Sequence, residues 1–96
     1  MTPDDAIQRL DAACIKDCDG RFFFGCKGAV VILRLHGVHE PIEFPARDKL
    51  AFRIDRKSLK IERRDTGEVQ NVFSWDDIES LTAGEPEMAH GKLFQG

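Results

Sequence analysis

No apolar run in the 96 residues approaches the roughly 18 that a membrane-spanning helix needs, so no membrane partner is expected. The opening Met1-Thr2-Pro3-Asp4-Asp5 is acidic where a secretory signal would be basic, and no apolar segment follows it. A cytoplasmic location is the expectation. Cysteine is scarce too, and the three that occur cannot all pair within one chain, so no disulfide framework is expected where thiols stay reduced. The sequence holds no Walker loop, no Gly-x-Gly-x-x-Gly, no Gly-x-Ser-x-Gly, no calcium loop, no internal repeat and no low-complexity stretch. No cofactor and no catalytic residue are called, and the chain is read as a non-enzyme.

What remains has the composition of a soluble globular domain, with 42% hydrophobic and 32% charged residues. A chain of this length builds one core. Its net charge of -3 conceals a segregation of sign: -3 over residues 1–20, +2 over 21–40, +3 over 41–65 and -5 over 66–96. Such asymmetry bears on association rather than on fold.

The first segment carries four helix-start signals: Thr2 as cap, Pro3 at the first helical position, and Asp4 and Asp5 where the dipole favours anions. Ile7, Leu10, Ala13 and Cys14 recur at helical spacing, which predicts a helix over residues 3–17, stopped at Asp19-Gly20. Ala29 to Leu35 is β-branched and continuous in hydrophobicity, as a central strand is. His36 to His39 is a turn, and Glu40 to Phe44 a second strand, with Pro41 suiting an edge. Leu50, Phe52 and Ile54 alternate with Ala51, Arg53 and Asp55, and Leu59 and Ile61 with Lys60 and Glu62, about the turn Asp55 to Ser58, which predicts a hairpin. A turn at Asp65 to Glu68 leads to a further strand from Val69 to Ser74. Ser74 with Asp77, and Ile78 with Leu81, suit either a short helix or a turn into a last strand. The expected class is therefore α+β, an N-terminal helix on an antiparallel β-meander of about five strands, ending in either a short C-terminal helix or a last strand. Residues 1–83 form the domain and 84–96 a flexible tail.

Register gives the hairpin a surface. If Ile54 and Leu59 close it, Phe52 faces Ile61 on the buried side while Arg53 faces Lys60, and Lys49 faces Arg64, on the other. Arg53, Arg56, Lys57, Lys60 and Arg64 then form a candidate anion-binding site, with Trp75 as a stacking surface for nucleic acid if the next strand keeps simple register. A bulge at Gly67 would shift that register by one and return Phe73 to the core; burial of Phe73 and Trp75 under the helix is the favoured outcome. Cys14, Cys18, Cys26, His36 and His39 are the only cluster with metal-ligand residue types, but their spacings match no strong zinc pattern, and no metal is called.

The leading expectation is a protein partner, contacted through acidic residues of the two ends: Asp4, Asp5, Asp11, Asp76, Asp77 and Glu79. In size and charge pattern the chain resembles small phage-encoded inhibitors of host defence machinery, a general resemblance carried by no motif. It implies a module that binds and blocks a host protein. Nucleic-acid binding through residues 53–64 is the alternative, weakened by a sequence pI near 5.5. A homodimer through the strand edge at Glu40 to Phe44 is the third.

Overall fold

In a computed structural model, residues 1–13, 15–25 and 28–84 are described, Cys18 by its backbone alone. One helix, α1 (Pro3–Asp11), precedes eight strands: β1 (Ile15–Cys18), β2 (Arg21–Phe24), β3 (Val30–Leu35), β4 (Ile42–Pro45), β5 (Leu50–Ile54), β6 (Ser58–Arg63), β7 (Val69–Ser74) and β8 (Ile78–Gly84). They form two antiparallel sheets, one in the order β1-β2-β5-β6-β7 and one in the order β4-β3-β8. The class is α+β, as expected, but the strand count exceeds the expected five.

The helix starts where its signals place it: Thr2 is extended and its Oγ1 accepts the Asp5 amide, with Pro3 in the first turn. It ends earlier than expected. Ala12 caps it, and the stretch from Ile15 onward, expected to continue the helix, runs instead as β1. Asp19 and Gly20, expected to stop the helix, instead turn the β1–β2 hairpin, with φ of 53° and 79°. Consecutive positive φ values match the right-handed twist of flanking strands, which is why Asp-Gly closes hairpins.

Among the described residues no C-terminal helix occurs. Ser74 does cap, accepting the Asp76 amide, but it caps a single 3-10 turn, Trp75–Asp77, before β8 pairs along β3. The helical spacing of Ile78 and Leu81 has another cause. Leu35 pairs with Ile78 and Arg34 with Ser80, so Glu79 is an extra residue, and that irregularity lets two residues three apart face the same way. Both are fully buried. Gly84 closes β8; the rest of the expected tail lies outside the described residues.

The two sheets and α1 share one core. Phe52 on β5 lies at its centre, fully buried, with Phe24 and Phe44 edge-on at 5.4 and 6.0 Å between ring centres. Leu59 and Ile61 from β6, Val31 and Leu33 from β3, and Ala6 and Leu10 from α1 complete it. With α1 and the smaller sheet on one side, the larger sheet turns its other face outward.

Candidate interaction surface

The expected hairpin register holds: Ile54 pairs with Leu59, Arg53 with Lys60 and Phe52 with Ile61, and the Arg64 amide donates to the Lys49 carbonyl at 3.0 Å. Strand β2 adds to it on the far side, pairing Arg21 with Arg53 and Phe23 with Ala51. Two rows therefore cross the outer face of the five-stranded sheet. One reads Lys16, Phe23, Ala51, Glu62 and Val69; the next reads Arg21, Arg53, Lys60 and Val72. Strand spacing of about 4.8 Å makes the patch from β2 to β7 roughly 14 Å wide.

Directly opposed cations would repel, and the fold answers this with Glu62. Its carboxylate accepts from Arg21 Nη1 at 3.2 Å and from Arg53 Nε at 2.9 Å, and the residue is only 4% exposed. Burial alone would push the Glu62 carboxyl up, but the hydrogen bonds from Arg53 and then Arg21 outweigh it and hold the group below its ordinary value. The same hydrogen bond from Arg53 to Glu62 raises the Arg53 guanidinium. Lys60 Nζ meets Asp55 Oδ2 at 3.0 Å. Beside this network stands Phe23, half-buried, with the guanidinium carbons of Arg21 and Arg64 at 5.0 and 5.1 Å from its ring centre. That is cation–π range. Ala51, between Phe23 and Glu62, has no exposed surface although it points outward. At the β7 side the face ends in exposed Val69 and Val72.

The aromatic partner on this face is thus Phe23, which the sequence did not suggest. Trp75 is not a stacking platform. It is 5% exposed, its indole N–H donates to the Asp55 carbonyl at 2.8 Å, and the Met1 nitrogen donates to its carbonyl at 3.4 Å. The one-residue shift that returns Phe73 to the core occurs, but at Gln70 rather than Gly67: Glu62 pairs with Val69 while Ile61 pairs with Asn71 and Leu59 with Phe73. Arg56 and Lys57 are exposed in the β5–β6 turn. Arg63 pairs with exposed Asp65 and lines an open cleft of about 420 Å³ with Glu43, Asp48 and Asn71, away from the basic face.

The acidic candidates form two groups. The Met1 nitrogen also donates to the Ile78 carbonyl at 3.2 Å, which seats the start of α1, with Asp4 and Asp5, beside the turn that carries Asp76 and Asp77 and leads to Glu79. Asp11 lies at the far end of α1, about 10 Å further along at 1.5 Å per residue. All six are exposed. Cys14 and Cys26 fall outside the described residues, and no group of three His, Cys, Asp or Glu that could hold a metal ion occurs among the described ones. No described helix is long and apolar enough to cross a membrane.

Set against protein-family models, curated proteins and solved structures, the chain matches none of them.

Proposed function

We propose that the protein is a non-catalytic module that binds another protein through the outer face of its five-stranded sheet. The observation that carries this reading is Phe23 between Arg21 and Arg64, on a face where Glu62 already holds Arg21 and Arg53 in place. Arginine and aromatic side chains supply most interface hot spots. Side chains fixed before binding lose less entropy when the partner arrives. Exposed Val69 and Val72 extend the face with apolar surface.

A protein partner is favoured over nucleic acid for two reasons. Three cations of the face already pair with Glu62 and Asp55, and the chain as a whole carries -3. A polyanion would gain little there. A protein surface presenting an apolar side chain to Phe23 and the exposed valines fits better. The resemblance to phage-encoded inhibitors supports a blocking role, in which binding itself is the function.

A second reading keeps the acidic end as the contact, with Asp4, Asp5, Asp76, Asp77 and Glu79 entering a basic groove of the partner. The seating of the helix start on the Trp75–Asp77 turn favours it, because it gathers charges from both ends of the described chain.

Affinity capture from a host lysate, with and without nuclease, separates these readings. The wild type is compared with a Phe23→Ser, Arg64→Glu variant and with an Asp76→Lys, Asp77→Lys variant. A nuclease-resistant protein lost by the first variant and kept by the second is the expected result. The reverse pattern would move the contact to the acidic end, and capture that disappears with nuclease would overturn the protein-binding reading.

A further inference from the structure

We propose that two copies of the chain pair antiparallel through strand β7, joining their five-stranded sheets into one of ten strands. An edge strand offers a row of unpaired N–H and C=O groups, and proteins normally protect it with charge, proline or a covering element. Three of the four edges among the described residues are protected in these ways. Strand β1 carries Lys16 and Asp17, β4 carries Glu43 and ends on Pro45, and β8 carries Glu79 and packs against α1. The fourth is β7, Val69-Gln70-Asn71-Val72-Phe73-Ser74, with no charge and no proline, and exposed at every residue except half-buried Phe73; its one irregularity, at Gln70, lies near the start and leaves the run Asn71 to Ser74 regular.

A second copy is the occupant that this composition fits. A two-fold interface sets each patch against itself, so any charge at its centre would meet its own kind. Strand β7 has none. A two-fold axis through Val72, perpendicular to the sheet, sets Val72 against its own copy on the outer face. Asn71 then stands opposite Phe73 of the second copy on the inner face, so inward residues meet inward residues. The basic faces of the two copies then lie on the same side of the joined sheet. Seven strand intervals of about 4.8 Å would separate the two Phe23 positions by roughly 34 Å. Only Gln70 to Ser74 then stand opposite strand residues of the copy, an edge of about 17 Å. So small an interface should hold with a dissociation constant on the order of micromolar.

The test is sedimentation equilibrium of the full chain over a range of concentrations spanning that value. Wild type should pass from monomer to dimer. Val72→Lys should weaken the dimer by at least about tenfold, while Val38→Lys, at an exposed residue in the turn after β3, should leave it unchanged. An equimolar mixture of Val72→Lys and Val72→Glu should recover dimerisation, which a merely unfolded variant could not do. A wild type that stays monomeric throughout would overturn the proposal, as would a dimer indifferent to Val72→Lys, a mixture that fails to recover, or growth beyond a dimer.

Discussion

Replacing Glu62 with Gln removes the charge that holds Arg21 and Arg53 side by side while keeping the shape of the side chain. The two arginines are direct cross-strand neighbours, so without the carboxylate they face each other across β2 and β5. Each hydrogen bond to the buried carboxylate contributes about 1.5–3 kcal/mol in principle. The Arg21 and Arg53 side chains are 20% and 38% exposed, so solvent screens part of this. A net loss of about 2 kcal/mol at neutral pH follows, or roughly 10 °C in Tm for a domain of this size. The pH dependence carries the sign. Because folding lowers the Glu62 pKa, its contribution is fully present above the unfolded value and is lost as pH falls through the folded one. Wild type and Glu62→Gln should therefore differ most near pH 7 and converge in acid, where the wild-type carboxyl is itself neutral. Urea denaturation of both proteins at several pH values reads this directly. A loss below about 0.5 kcal/mol at neutral pH, or one that persists undiminished in acid, would refute the reasoning.

Further consequences are open to the same assay. Phe52→Ala empties the centre of the core and should cost about 3–5 kcal/mol, enough to unfold much of the population in mild denaturant. Trp75→Phe keeps most of the ring volume but leaves the Asp55 carbonyl without its indole donor, for an expected loss of about 1–2 kcal/mol in denaturant titration. Gly67→Ala meets no atom within 4 Å, so any destabilisation would come from its φ of +76° alone, about 1 kcal/mol by thermal melting.

The parts of the fold legible in the sequence are those with undisturbed local periodicity. Leu50 to Ile61 alternates cleanly about a four-residue turn, and its register follows residue by residue. Two irregularities hide the rest. Glu79 and Gln70 each interrupt the strict alternation, so Ile78 and Leu81 mimic a helix, and Val69 and Val72 share an outer face that simple alternation would split. Phe22-Phe23-Phe24 has no period at all, so nothing local tells which ring faces out. The pairing of β2 with β5, some thirty positions along the chain, decides it. The hairpin part of the candidate surface was legible for the same reason. Arg53, Lys60 and Arg64 share a face by hairpin register, and Glu62, two residues from Lys60, follows from that register although it hides in a basic run. Arg21 and Phe23 join them only through long-range pairing.

The most direct test of the outer face as the contact surface is an NMR titration of the labelled protein with the partner it captures. Shift changes should concentrate on Lys16, Arg21, Phe23, Arg53, Lys60 and Arg64. Changes confined to α1 and the Trp75–Asp77 turn would contradict it and assign binding to the acidic end.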